Sequence, residues 1–297
     1  MTPASVAVVI AVVGSANVDI LAAVETIPRE GERITANAFT TQAGGMAANC
    51  ACAAAAVGGK VVFFGRTSSD ALSDVLIADF VRYGVDTQGL SREAEHTTVN
   101  LITTPASGER TIIAEENVHH PIGLAGFLEH TTPALLYVDG YHLGMIDSEL
   151  ISAKAAGVTC FVDVDGAVNT YQRDLITQRL ANFDIILWNP QVSQALFPEY
   201  SPEDASRMLA VGACVILTRA AADVLVFQGD SVQAFTVPEQ PNVVDTTGAG
   251  DTFAGVFLHA FAKFDSVEKA VLKAIDAATT SVAYVGARGG LGVLEAF

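Results

Sequence analysis

The stretch Val244-Asp245-Thr246-Thr247-Gly248-Ala249-Gly250-Asp251-Thr252-Phe253 decides how this chain folds and what it can bind. Two glycines stand directly before an acid, and apolar residues of helical spacing follow. A glycine-rich turn that opens a helix directs unpaired N–H groups to one point at the positive end of the helix dipole. Asp251 would lie beside an anion held there. An anion cradle next to a carboxylate is the minimum equipment for moving a phosphoryl group to an alcohol.

The same stretch taken alone also fits an ordinary strand–turn–helix connection. In that interpretation the glycines only allow tight packing, and Asp251 only caps the helix. The remainder of the chain has to decide between the two.

Composition excludes several classes of protein. The 297 residues leave room for one large α/β domain with a small appendage, and 51% of them are hydrophobic. The apolar runs 6–13 and 51–57 are far shorter than the roughly 20 residues of a membrane-spanning helix. Residues 1–5 carry no basic side chain, so we expect no signal peptide and a cytoplasmic protein. A net charge of −17 argues against nucleic acid and anionic membranes as partners.

Short β-branched runs alternate with alanine-rich helical patterns along the chain. This alternation predicts an α/β fold with a doubly wound, mostly parallel sheet flanked by helices. Ligands of such sheets bind at the carboxyl ends of the strands. The predicted strands are 6–13, 61–65, 135–138, 158–162, 185–188, 215–218, 224–227 and 232–237. The predicted helices are 47–57, 73–83, 148–156, 202–211, 252–264 and 267–285.

Two segments, about 19–43 and 97–113, interrupt the alternation. Both contain short, half-polar strand patterns with turns and no helix of their own. We expect residues 1–297 to form a single domain in which these two insertions build a small β-sheet that covers the site as a lid.

Polar residues cluster at the ends of the first predicted elements. Asn17 and Asp19 alternate with apolar neighbours, so both can face one side of an extended segment and hold a polyol. Gly44 and Gly45 let the backbone approach a ligand, and Asn49 follows in the first turn of a helix. Each group alone fits a plain turn equally well.

Together the motifs resemble the PfkB-type carbohydrate kinases, the ribokinase family. The resemblance covers nearly the whole chain in the family's order. It rests on Gly14-x-x-Asn17-x-Asp19, Gly44-Gly45-x-x-x-Asn49, Phe64-Gly65-Arg66 with Asp70, and the stretch 245–251. It implies a ribokinase-like fold, with Asp19 and Asn49 on substrate hydroxyls and Asp251 as catalytic base. It also implies a homodimer that pairs through the lid.

The expected reaction is ATP-dependent phosphorylation of a sugar hydroxymethyl group. Asp251 takes the proton of the hydroxyl that attacks the γ-phosphorus, as an ordinary ionised aspartate can at neutral pH. The N–H groups of Gly248, Ala249 and Gly250 form the anion hole. Mg²⁺ bridges the ATP phosphates, and a monovalent cation is a further option. The expected nucleotide contacts are Asn189, Thr218, Arg219, Thr246, Gly248 and Gly250.

The chain departs from the family's pattern at three places. The family often has Asn-x-x-Glu after a central strand, whereas Asn189 is followed by Val192; Asp163 and Asp165 could substitute through water, or form a plain solvated loop. The family's Thr-x-Gly-x-x-Gly is 218–223 here, without glycines, which predicts a tighter or displaced nucleotide loop. Arg219 could contact a phosphate or equally form a surface ion pair.

The third departure concerns the substrate. Met46 replaces the lysine of ribokinases, which weakens the case for ribose and favours a ketose or its derivative. Asp139, at a strand end, is a further candidate substrate contact. A nucleoside kinase of the same fold and a non-catalytic sugar- or nucleotide-binding regulator remain the alternatives.

Overall fold

The computed structural model describes residues 8–105, 111–115 and 119–297. The strands are β1 (Val9–Val13), β2 (Asn17–Ala23), β3 (Ala38–Gly44), β4 (Lys60–Arg66), β5 (Asp86–Ser91), β6 (Val99–Thr104), β7 (Thr111–Ala114), β8 (Leu135–Asp139), β9 (Thr159–Asp163), β10 (Ile185–Trp188), β11 (Cys214–Arg219), β12 (Ala222–Gln228) and β13 (Ser231–Phe235). The helices are α1 (Met46–Ala56), α2 (Ala71–Tyr83), α3 (Leu124–His130), α4 (Asp147–Ala155), α5 (Ala167–Thr170), α6 (Arg173–Leu180), α7 (Pro190–Leu196), α8 (Pro202–Leu209), α9 (Ala249–Phe264) and α10 (Val267–Ser281).

Nine strands form the large sheet, in the order β13-β12-β11-β10-β9-β8-β1-β4-β5. Neighbours from β11 through β5 are parallel, and β12 and β13 add an antiparallel edge. The chain leaves β1 toward β4 on one side and later returns to β8 on the other. The strand order therefore reverses between β1 and β8, the position where open α/β sheets bind ligands.

Helices cover both faces of this sheet because its strands are apolar on both sides. One buried cluster contains α1, α9 and α10, and a second contains α4, α6 and α7. The alanine-rich α1 lies under α9 so closely that a Cβ at Gly255 would come within 2.2 Å of the Cys50 carbonyl oxygen. This contact fixes the direction of α9, and hence of the turn that begins it.

The small sheet has the order β3-β2-β6-β7 and shares no strand with the large one. Its β2 is antiparallel to β3 and parallel to β6. Residues 17–23, 38–44, 99–104 and 111–114 form it, within or beside the two insertions that are predicted to build a lid, and residues 106–110 of the second insertion lie outside the described ranges. A separate lid-like sheet beside a mostly parallel large sheet confirms the predicted fold class.

Each predicted strand and helix has a counterpart in the structure; the strand predicted over 185–188 has the same bounds, and the others have shifted ends. The helix predicted over 267–285 was wrong at its C-terminal end, because α10 ends at Ser281 and a turn follows. The strand predicted over 6–13 begins at Val9, and residues 6 and 7 lie outside the described part. No helix within the described ranges is long and apolar enough to cross a membrane.

Candidate active site

The glycine-rich turn enters α9 through a left-handed residue. Gly248 has a φ of +72° and is the N-cap of α9. A Cβ there would lie 2.6 Å from the Cβ of Ala287, so both the backbone angle and the close loop require glycine. The Ala249 N–H donates to the Thr246 carbonyl at 3.3 Å, so it is less free for a ligand than a helix-end amide without a partner. Nothing lies within 4 Å of a Cβ built at Gly250, where the turn faces open space.

Asp251 lies in the first turn of α9 and lines a cavity. Its Oδ2 accepts a hydrogen bond of 2.7 Å from Asn49 Nδ2. Burial raises the pKa of Asp251 to about 7; the Asn49 bond opposes this rise, Asp165 adds to it, and Arg288 opposes it. A carboxyl with such a raised pKa is partly protonated at neutral pH, which differs from the ordinary ionised aspartate expected from sequence. A base whose pKa is close to the working pH is well suited to general-base catalysis.

Asn17 and Asp19 lie on the same face of β2, as their spacing predicts. Asp19 Oδ1 accepts from Asn17 Nδ2 at 2.6 Å and from Asn100 Nδ2, on β6, at 3.2 Å. Burial raises the pKa of Asp19, and the two amide bonds oppose that rise. Asn100 was not anticipated, because only the pairing of β2 with β6 brings it to this place.

The two glycines before α1 are required by close contacts. A Cβ at Gly44 would meet Asp19 Oδ2 at 2.3 Å, so glycine keeps that oxygen open. Gly45 has a φ of +97° and lines the cavity, where a Cβ would meet the Ser15 carbonyl at 2.6 Å. Met46, next in the chain, also lines the cavity.

Residues of these segments line one cavity of about 420 Å³ between the small sheet and the carboxyl ends of β1, β8 and β9, although Gly44, Gly248, Ala249 and Gly250 are not among the described residues that line it. That volume is in the range of small-molecule sites. Its polar lining includes the amides and carboxylates of Asn17, Asp19, Asn100, Asp165, Asn169 and Asp251, together with Arg66, His119 and His142. Asp19 and Asp251 thus open into the same space.

Asn49 and Asp139 are not among the described residues that line the cavity. Asp139 is fully buried, and its Oδ2 accepts from both Ser15 N and Ser15 Oγ at 2.7 Å. Its Oδ1 accepts from the backbone and ring nitrogens of His142 at 3.1 and 2.7 Å. Burial pushes the pKa of Asp139 up, but these partners more than offset it and hold that pKa below the ordinary value. With both oxygens occupied, Asp139 fixes the loop after β1, and the substrate contact predicted for it has no geometric support.

A comparison with known protein families supports the kinase interpretation of this site. A family model for pfkB family carbohydrate kinases matches residues 9–292. The chain belongs to the pfkB family of carbohydrate kinases.

Its relatives are named kinases. The ribokinase of Bacillus subtilis (strain 168) is 27% identical over 292 residues, covering 95% of both chains. The deoxyribokinase of Salmonella typhi is 26% identical over 97% of each. The solved structure of Arabidopsis thaliana ribokinase complexed with ribose and ATP has a TM-score of 0.83 at 25% identity, covering 98% of this chain and 96% of that one. The protein is therefore a phosphotransferase of the ribokinase type, acting on a sugar or nucleoside alcohol.

The residues expected to contact the nucleotide are not among the described residues that line the cavity, and the side chains of three of them, Asn189, Thr218 and Arg219, are bonded within the chain. Asn189 caps α7 by accepting from Val192 N at 2.9 Å. Thr218 Oγ1 donates to the Trp188 carbonyl at 3.2 Å. Arg219 donates to Glu203 at 3.2 Å, which matches the ion-pair alternative. Thr246 is exposed beside the turn that opens α9.

The loop after β11 is short. Two residues, Ala220 and Ala221, separate β11 from the antiparallel β12. Ala220 adopts a φ of +53°, an angle that favours glycine. The contacts predicted for Thr218 and Arg219 therefore stay predictions that require movement of engaged side chains.

The carboxylates that could assist Mg²⁺ differ in accessibility. Val192, at the position where the family often has glutamate, is buried in the core. Asp163 is buried too, and burial and then Asp165 raise its pKa well above the ordinary value, which disfavours a charged metal ligand. Asp165 is exposed and lines the cavity. No group of three or more candidate metal ligands clusters among the described residues.

Proposed function

We propose that this protein transfers the γ-phosphoryl group of ATP to a hydroxymethyl group of a sugar, with Asp251 as general base. The observation that carries the proposal is the position of Asp251: it stands beside the glycine-rich turn of α9 and shares one cavity with Asn17 and Asp19. Phosphate would lie at the amides of Gly248, Ala249 and Gly250, and sugar hydroxyls at Asn17, Asp19 and Asn100.

ATP and Mg²⁺ are the cofactors that suit this turn. The helix terminus supplies partial positive charge, and Asp165 can bind a metal-bound water. Exposed apolar residues at Val243, Val244 and Val285 lie close to the turn, joined by the bond from Val244 N to the Val282 carbonyl at 2.8 Å. They offer an adenine ring an apolar surface.

A sugar suits the cavity better than a purine nucleoside. Of the described residues that line it, Tyr141 alone carries a six-membered aromatic ring, and the remaining lining is polar or aliphatic. A purine site is usually lined by more aromatic surface. Met46, at the position of the ribokinase lysine, favours a ketose or its derivative over ribose.

The test is ADP release with Mg–ATP across a panel of pentoses, ketoses, their derivatives and nucleosides. We expect a sugar to be the best acceptor, with NMR of the product showing the phosphate on a primary hydroxyl. Asp251→Asn should lower kcat by several powers of ten while circular dichroism stays unchanged. Near-normal turnover of that variant would refute the base assignment. No turnover by the wild type with any acceptor would favour a non-catalytic binding protein.

We also propose a homodimer that pairs through the small sheet. The register places Phe39, Ile20, Leu101 and Ile113 on the face opposite the cavity lining. Phe39 is 73% exposed and Ile113 is 64% exposed, so this face carries an apolar patch whose exposure to water is unfavourable. A second copy presents the same patch and can cover it. Sedimentation should give a dimer that Leu101→Glu dissociates, and a monomeric wild type would refute the proposal.

A further inference from the structure

Arg288 is buried behind the candidate base and touches three separate segments of the chain. Only 7% of it is exposed. Its Nε donates to Asn49 Oδ1 at 2.8 Å, Nη1 to Asp79 Oδ2 at 2.6 Å, and Nη2 to the Gly44 carbonyl at 3.2 Å. We propose that Arg288 is a positioning residue, which locks the orientation of the Asn49 amide and thereby keeps Asp251 ready to accept the substrate proton. This role rests on the proposed function.

The lock follows from the chemistry of the two side chains. A guanidinium group has only donors, whereas an amide has a donor end and an acceptor end. Because Arg288 Nε must face an oxygen, the carbonyl of Asn49 points toward Arg288. The amide nitrogen then points toward Asp251 Oδ2, 2.7 Å away. If the Asn49 amide were flipped, its NH2 group would face the N–H donor of Arg288 and its oxygen would face the carboxyl oxygen of Asp251.

Arg288 acts through Asn49 and not on the substrate. It is not among the described residues that line the cavity. Asp79, on α2, balances its charge, and the Phe80 ring centroid lies 5.8 Å from its guanidinium carbon. Asp79 and the Phe80 ring therefore hold the guanidinium group in place, and its other hydrogen bonds go to Asn49 and Gly44.

The consequence for catalysis is a division of labour between the oxygens of Asp251. Oδ2 already accepts the hydrogen bond from Asn49, so we expect Oδ1 to be the oxygen that receives the proton. Both the Asn49 hydrogen bond and the Arg288 charge also oppose the rise in the pKa of Asp251 that burial causes. Loss of Arg288 should thus leave the base less well oriented and more often protonated.

The test compares Arg288→Met, Arg288→Lys and a matched control, Tyr83→Phe. The control removes the bond of 3.2 Å from Tyr83 Oη to the Arg288 carbonyl and leaves the guanidinium untouched. Arg288→Met should lower kcat by roughly ten- to a hundredfold, the usual range for a group that orients a functional ligand. KM for ATP should change little, and the acid limb of kcat/KM should move to higher pH. Arg288→Lys should recover part of the loss, and Tyr83→Phe should match the wild type.

A second readout does not depend on turnover. In protein labelled with ¹³C at the aspartate carboxyls, the signal absent from Asp251→Asn reports the titration of Asp251 directly. An upward displacement of that titration in Arg288→Met supports the positioning role even where no acceptor is phosphorylated, so failure of the proposed function remains distinguishable. An unchanged titration and acid limb, or equal effects of Tyr83→Phe, would overturn it. Should Arg288→Met not fold, Arg288→Lys carries both measurements.

Discussion

Replacing Asp251 by asparagine should stabilise the protein, and more so as the pH rises. Burial raises the pKa of this carboxyl from 3.8 to about 7 in the folded state. A carboxyl whose pKa is higher in the folded than in the unfolded protein adds to the free energy of unfolding. This contribution is fully present below the pKa of the unfolded state and is lost as the pH rises through the pKa of the folded state. Asparagine is neutral throughout and still offers an oxygen to Asn49, so it avoids this loss.

The size of the effect follows from the pKa displacement. Three pKa units correspond to about 4 kcal/mol, of which about half is lost between about pH 5.5 and about pH 8.5. Because Asp251 is partly open to cavity water, we expect roughly 1 to 2 kcal/mol over that interval. For a chain of this size, that is a difference in Tm of about 2 to 6 °C.

The assay is thermal unfolding of wild type and Asp251→Asn without ligands at both pH values. The other titrating groups are shared, so the difference between the proteins isolates Asp251. The variant's advantage should grow with pH while its kinase activity is lost. A pH-independent difference would refute the claim that burial controls this carboxyl.

Further outcomes follow from the same geometry. The kcat/KM of the wild type should rise with pH through about 7, the pKa of Asp251, and a rate that is flat from about pH 5 to about pH 8 would contradict the base role. The Gly250→Ala variant has room for the added methyl group and should keep or raise Tm, since alanine is favoured over glycine in a helix by up to about 1 kcal/mol. The same methyl group would occupy the space proposed for phosphate and should lower kcat at least tenfold. The control Gly126→Ala, which is also in a helix and in open space, should leave kcat unchanged. Asp139→Ala should cost about 3 to 5 kcal/mol of stability in denaturant titration, because it leaves donors of the half-buried Ser15 and of the buried His142 without an acceptor.

The sequence predicts those parts of the fold that local chemistry determines. The 248–251 turn, the β-branched strands and the alanine-rich α1 carry their signals in consecutive residues. By contrast, β5 has the polar sequence Asp-Thr-Gln-Gly-Leu-Ser and forms a strand only through pairing with β4. The short helices α3, α5, α6 and α7 were not anticipated, since a few turns of mixed polarity give little periodic signal.

The site residues also fall into those that the sequence predicts and those that only tertiary contacts bring in. Asn17, Asp19, Gly45 and Asp251 meet at one cavity, as the motif order predicts. Asn100 is brought in by strand pairing and Arg288 by a contact with Asn49, 239 positions away in sequence. No local pattern predicts the side-chain contact that either residue makes. The side-chain amide of Asn49 faces the base, so the substrate contact predicted for it would have to share that amide with Asp251.

The charge of the site explains why the base needs support. Asp19, Asp165 and Asp251 all open into the cavity, and the chain as a whole carries −17. Incoming phosphates add negative charge and would push the pKa of Asp251 above its value of about 7, toward the protonated, inactive form. The N–H donors at the N-terminal end of α9, and a metal ion bound to ATP, would oppose this rise in the pKa of Asp251. Arg288 and Asn49 oppose it from behind, where neither competes with substrate for space. Because Asp79 balances the charge of Arg288, the arginine can remain buried there.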